Sequence, residues 1–274
     1  MIGSVAEGDA RMGGKTARMP SVFLGHGTPL NALADNRWTQ TWARVGREIG
    51  RPKAIVAISG HWCTYGVGVT AMAHPPTIHD FGGFPQALFD IRYPAPGDPQ
   101  LAARLRDLLA PIPVVLDEQS WGLDHGTWSV LCKAYPAADI PVVQLSIDAT
   151  QPPHFHFDLG AKLAPLRDEG VLILGSGNIV HNLRRVNFAD DARPFDWAVE
   201  FDTWVKERLQ DGNYKAIVED ARDTEAGRLS IPTPDHWYPL LYTLGAADDD
   251  EPLRFDYEGI ENASISMRCL TLGA

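Results

Sequence analysis

The chain is poor in thiols, in basic charge and in long apolar runs. Three cysteines stand among 274 residues, Cys63, Cys132 and Cys269. They are widely spaced and cannot all pair within the chain, which argues against a disulfide framework and for a reducing, cytoplasmic setting. Lys and Arg number 24 against 35 Asp and Glu, a net charge of −11. Nucleic acids and anionic membranes are bound through basic patches, so neither is the expected partner. No apolar stretch approaches the ~20 residues that a membrane-spanning helix requires. Internal repeats and low-complexity linkers are missing too, so one domain is expected over residues 20–274. Residues 1–19 are small, polar and Gly-rich, without the apolar core of a secretory signal, and read as a flexible tail.

From Ser21 onward, short β-branched apolar runs alternate with amphipathic ones. Strands are expected at Val22–Leu24, Ala54–Ile58, Val114–Leu116, Val142–Ile147 and Val171–Leu174, and helices at Trp38–Ile49, Leu101–Leu109, Asp158–Leu166 and Asp196–Leu209. Strands this continuously apolar are covered on both faces. The fold class is therefore α/β: a central, mostly parallel or mixed sheet covered by helices. The prolines gather between these elements, as in Pro75-Pro76 and Tyr93-Pro94-Ala95-Pro96, where they shape loops. The connection from His74 to Gly97 is long, and long ordered loops tend to be functional.

The histidines carry the most information. His26 and His61 each follow a strand-like run through a glycine, and His181 lies just past the strand ending at Leu174. In open α/β sheets ligands gather beyond the carboxyl ends of the strands. Three imidazoles delivered to one sheet edge point to a metal site there, and imidazole suits zinc and iron alike. A lone histidine at a strand end is more often a hydrogen-bonded structural residue; the repetition at equivalent positions carries the inference. No compact metal motif such as HExxH or CxxC is present.

Five segments in order then show a resemblance: Gly25-His26-Gly27-Thr28-Pro29, Ser59-Gly60-His61-Trp62, Leu123-Asp124-His125-Gly126-Thr127-Trp128, the run Gly175 to Leu183 with His181, and Pro234-Asp235-His236-Trp237. Together with Thr77-Ile78-His79-Asp80-Phe81-Gly82-Gly83-Phe84-Pro85, they resemble the class III extradiol ring-cleavage dioxygenases, in particular the bacterial DOPA 4,5-dioxygenase-like branch. The resemblance covers nearly everything from Pro20 onward. It implies a mononuclear metal at the carboxyl edge of the sheet, a catechol such as L-DOPA as substrate, and O2 as co-substrate. By motif, His26, His61 and His236 correspond to metal ligands. His181 corresponds either to a further ligand or to a base beside the metal. The set departs from the two-histidine, one-carboxylate pattern of non-haem iron oxygenases, and Asp235 is the one carboxylate placed to restore it.

Ring opening requires a base for the catechol proton and an acid for the leaving oxygen, work a near-neutral histidine can do. His125 is the candidate, with His181 next. In the long loop, His79, Phe81 and Tyr93 are candidates for substrate binding, although Phe81 and Phe84 equally suit anchors on the core. Trp62 and Trp237 read as packing, Cys63 as a small buried filler, His74, His154 and His156 as exposed or capping residues, and Asp248 to Glu251 as a solvated turn. The all-imidazole set makes Zn(II) the expected occupant on isolation and Fe(II) the metal expected for oxygenase activity. Two alternatives remain open at this level: a zinc-dependent hydrolase on the same scaffold, and a metal-binding protein without oxygenase activity. The oligomeric state is not written in the sequence.

Overall fold

The computed structural model describes residues 18–189 and 191–273. In chain order the strands are β1 (Ser21–Gly25), β2 (Ala54–Thr64), β3 (Val67–Thr70), β4 (Val114–Asp117), β5 (Val142–Asp148), β6 (Val171–Gly177), β7 (Leu253–Tyr257), β8 (Ile260–Glu261), β9 (Ile265–Ser266) and β10 (Cys269–Leu272). All but β8 and β9 join one sheet in the order β4-β3-β5-β2-β6-β1-β10-β7. Its centre, β5-β2-β6-β1, is parallel, and antiparallel pairing begins at β3 on one side and β10 on the other. The sheet is thus mixed, as the sequence pattern allows.

The central strands explain why their sequences read as unbroken apolar runs. Along β2, Ala54, Val56 and Ile58 enter the core on one face, while Ile55 and Ala57 enter the core on the other. In β6, Val171 and Ile173 alternate in the same way with Leu172 and Leu174. Successive side chains point to opposite faces, and both faces are covered, so the central strands are mostly apolar and most of their few polar residues are buried.

The helices are α1 (Arg37–Ile49), α2 (Gln86–Phe89), α3 (Pro99–Leu108), α4 (His125–Ala134), α5 (Pro153–Asp168), α6 (Asp196–Gln210), α7 (Tyr214–Glu219), α8 (Glu225–Ser230) and α9 (Tyr238–Gly245). Residues of α1 and α4 belong to the core on one face; those of α3, α5, α6 and α9 belong to the other. Helix α5 starts five residues ahead of the expected Asp158, because Pro153 occupies its first turn, where a missing N–H costs nothing. That places His156 inside the core, stacked on Tyr238 at 3.8 Å, rather than at the surface. None of the described helices is long and apolar enough to cross a membrane.

Of the N-terminal segment read as a tail, residues 1–17 lie outside the described residues. Arg18 and Met19 are held in place. The Met19 N–H donates to the Arg167 carbonyl at 3.0 Å, and Arg18 pairs with Asp168, Asp248 and Glu251. Glu251 also meets the fully buried Arg167 guanidinium through both oxygens, at 2.7 and 2.8 Å. The acidic run is therefore more than a solvated turn, since its last residue neutralises a buried cation.

Candidate metal and active site

Each histidine of the site arrives from a different element. His26 directly follows β1, at the carboxyl edge of the parallel strands. His61 lies inside β2 rather than beyond it, where the pairing with β5 slips between Ile58 and Cys63. His181 lies past β6, His125 opens α4, and His236 sits in the turn ahead of α9. That turn packs directly on the sheet. A Cβ added to Gly177 would fall 2.2 Å from the His236 carbonyl oxygen, and one added to Gly60 would fall 3.1 Å from the His236 Cα. Gly177 leaves no room for a side chain under the turn, and Gly60 leaves very little. The Asn178 N–H donates to the His236 carbonyl at 3.0 Å and fixes the approach.

Three ring nitrogens converge. His61 Nε2 is 3.1 Å from His26 Nε2 and 3.2 Å from His236 Nε2. The outward nitrogens set the tautomers. Ser176 Oγ donates to the Gly126 carbonyl at 2.5 Å, so it accepts from His26 Nδ1 at 3.1 Å. Asp235 accepts from His236 Nδ1, and an Asp80 oxygen lies 3.4 Å from His61 Nδ1. With the Nδ1 protons turned outward, all three Nε2 lone pairs face inward.

Protons do not hold this triangle together. Burial drives His26 and His236 well below the ordinary histidine pKa. Burial, together with the charge of His125, lowers His61 to about 3, despite the opposing pull of Asp80. Neutral imidazoles with converging lone pairs fit a divalent cation, and donor atoms on ~2.0–2.1 Å bonds in a tetrahedral zinc site stand roughly 3.3 Å apart. The two edges that meet at His61 match, and all three ligand atoms lie within 4.8 Å of one another, so the residues fit a metal.

His181 and His125 flank the triangle differently. The His181 ring stacks on His236 with centroids 3.6 Å apart, and burial lowers its pKa to about 4. Its ligand atom groups with those of Asp235 and His236, not with those of His26 and His61. The His125 ring lies 3.8 Å from His61. Its Nδ1–H donates to Asp80 Oδ2 and its backbone N–H to Asp80 Oδ1, each at 2.9 Å. Burial pushes the Asp80 carboxyl up, but the hydrogen bonds and charges of His125 and His61 win and hold it near 2. Asp80 is brought here by the long loop, whose Thr77 bridges Leu123 just ahead of α4. Asp124 caps that helix, accepting from the Thr127 N–H at 3.2 Å.

The histidines line the floor of a cavity of about 810 Å³. Phe81 and Phe84 form part of its wall and also pack on the core. His79 and Tyr93 are not among its lining residues. His79 Nε2 meets the Ile91 carbonyl at 3.2 Å, and its ring is enclosed by Phe81, Phe89 and Trp128. The Tyr93 hydroxyl donates to the Tyr135 carbonyl at 3.0 Å from a buried position. Both brace the loop from behind. Trp62 packs on Trp121 and Trp237 is buried, as expected, whereas Cys63 is exposed and not a filler. Arg184 and Glu261 have no local signature in the sequence, and Asp80 stands beside His79 in the long loop as a residue that could wall a substrate ring.

Comparison with known proteins finds relatives over nearly the whole chain. Residues 20–267 match the family described as the catalytic LigB subunit of aromatic ring-opening dioxygenase. The chain is 55% identical to an Escherichia coli K12 protein named 4,5-DOPA dioxygenase extradiol, over 94% of this chain and 96% of that protein. It is 39% identical to the Beta vulgaris protein of the same name, over 87% of this chain and 91% of the other. A crystal structure of an uncharacterized Escherichia coli K12 protein superposes with a TM-score of 0.83 at 49% identity, covering 93% of this chain and all of that one. The chain belongs to the LigB family of aromatic ring-opening dioxygenases.

Proposed function

We propose that the protein opens the ring of a catechol, L-DOPA or a close relative, with O2 in a metal-dependent extradiol reaction. The observation that carries this reading is the convergence of three neutral Nε2 atoms on the floor of a cavity large enough for a small aromatic ligand. His26, His61 and His236 would hold the ion. When bound, a redox-active divalent metal supplies a common site for catechol and O2 and a path for electron density between them.

The remaining steps belong to the protein. His125 keeps its Nδ1 proton on Asp80, which leaves Nε2 free to take the catechol proton. The imidazolium so formed lies against the Asp80 carboxylate, which stabilises it, and the proton is available for return to the leaving oxygen. His181 is the second proton-handling group beside His236. Phe81 and Phe84 wall the ring and exclude water.

The all-nitrogen donor set also suits zinc-bound water, which is the basis of the competing hydrolase reading. The test is anaerobic loading with Fe(II), followed by exposure of a catechol panel to air. A yellow ring-opened product with stoichiometric O2 uptake is expected. An iron-loaded protein inert toward every catechol would overturn the reading in favour of the hydrolase.

A further inference from the structure

Glu261 has no part in the chemistry above, yet it is set into the same cavity. It ends β8, lines the cavity, and its Oε2 is buried without a hydrogen-bond partner. It belongs to no group of metal-ligating atoms among the described residues. The carboxylate packs on the turn that carries His26, since a Cβ added to Gly27 would lie 2.8 Å from Oε2. Burial pushes its carboxyl up to about 7, against a hydrogen bond from Asn31 that pulls it down. A buried carboxylate left unpaired is a costly arrangement unless a ligand supplies the partner.

Arg184 belongs to the same wall. The segment after His181 runs antiparallel to the one after Glu261. His181 bridges Ile265, the Asn182 N–H donates to the Ser264 carbonyl at 3.2 Å, and the Asn187 N–H donates to the Asn262 carbonyl at 3.0 Å. The Arg184 side chain lines the cavity from an exposed position, and its guanidinium has no carboxylate partner among the described residues. One cavity wall therefore carries a carboxyl group with an unpartnered oxygen and an exposed guanidinium without a carboxylate partner among the described residues.

We propose that Glu261 and Arg184 select the substrate's side chain: Glu261 receives an ammonium and Arg184 a carboxylate, so that the cavity is built for a catechol bearing an α-amino acid group. The ammonium brings three donors to an acceptor-only carboxylate, and the guanidinium fork matches a carboxylate geometrically. Glu261 packs on Gly27, the residue after His26, so an ammonium received there sits beside the turn that carries His26. The proposal rests on the dioxygenase reading for the catechol ring alone; the charge selection rests on the wall.

The test is anaerobic calorimetry on the zinc-loaded protein, which binds ligands without consuming them. The probes are L-DOPA, dopamine, 3-(3,4-dihydroxyphenyl)propionic acid and 4-methylcatechol. The wild-type protein is expected to bind L-DOPA tightest and 4-methylcatechol weakest, a ladder that needs no variant. In Glu261→Gln the preference for L-DOPA over the propionic acid should fall by about tenfold or more, and in Arg184→Gln the preference for L-DOPA over dopamine should fall similarly. Equal affinities for all four probes, or equal losses across them in either variant, would overturn the proposal. The two readings fail separately. A ladder without ring opening by the iron-loaded protein supports the charge selection and sinks the dioxygenase; ring opening without a ladder does the reverse.

Discussion

Asp80 accepts from His125 at both ends of one residue, at 2.9 Å from the ring Nδ1 and at 2.9 Å from the backbone N–H. A carboxylate held in this way fixes the ring's rotamer and its tautomer together. The same Oδ2 lies 3.4 Å from His61 Nδ1, so one anion orients both a ring of the proposed metal set and the proposed base.

Asp80→Asn should therefore damage two functions at once. The amide keeps the shape but can present an N–H to an imidazole that already carries a proton on that side. Loss of such an outer partner typically costs about 10–100-fold in metal affinity or activity. Parallel measurement of metal affinity and kcat checks this. Unchanged values in both would show that Asp80 merely braces the loop.

His125→Phe should separate chemistry from metal binding. Removing a general acid–base group costs typically 10²–10⁴-fold in turnover. Phenylalanine conserves the contact with Phe81, whose ring meets His125 at 5.4 Å, so the fold should survive. Metal stoichiometry by elemental analysis should stay at the wild-type level. A variant that purifies without metal would move His125 into the ligand set.

How legible these arrangements are in the sequence depends on how local their causes are. β1, β2, β5 and β6 announce themselves because burial on both faces demands mostly apolar, β-branched runs. β7, Leu-Arg-Phe-Asp-Tyr, is only half-buried, and β3, Val-Gly-Val-Thr, is short and holds a glycine; neither gives a strong period. Helix α9 is buried on every side, so it shows no amphipathic stripe. Within the site, position after a strand or a glycine singles out His26, His61 and His181. His236 depends on resemblance to a family, because a loop histidine has no periodic signature. The link between Asp80 and His125 spans 45 residues and exists only because Thr77 pairs with Leu123. Nothing local encodes that contact. His79 and Tyr93 show the opposite failure, since polar aromatics in a long loop suit the back of a wall as well as its front.

Outside the site, His156 gives an expectation for acid stability. Burial lowers its pKa from the ordinary 6.5 to about 4, and its Nε2 has no hydrogen-bond partner. The unfolded chain binds this proton near 6.5 and the folded chain only near 4. The stability associated with the neutral ring is thus complete above 6.5 and is lost as the pH falls toward 4, a swing of about 3 kcal/mol. His156→Gln removes the titration while keeping a polar side chain. Chemical denaturation at pH 7 and at pH 4.5 should show a smaller loss for the variant than for the wild type. Identical losses would mean that the ring is hydrated or protonated in the native state.

The identity of the metal follows from the donor set. The converging atoms are neutral imidazole nitrogens, while the nearby carboxylates of Asp235 and Asp80 face the Nδ1 sides of the rings instead. A divalent ion held by His26, His61 and His236 would keep its full charge, and such nitrogen sites bind zinc more tightly than ferrous iron. Zinc has no accessible redox change, so it cannot relay electrons between a catechol and O2. The purified protein is therefore expected to contain zinc and to be inactive as an oxygenase. Chelation followed by anaerobic Fe(II) loading should produce O2-dependent ring opening. Return of zinc in excess should abolish it without unfolding the chain, since both ions would compete for the same three nitrogens. Elemental analysis paired with an oxygen electrode reads both halves of this argument. A zinc form verified free of iron that opens catechols at the full rate would break the link between redox capacity and activity. An iron form that loses its metal to buffer within minutes would show instead that the three histidines alone do not hold the working ion.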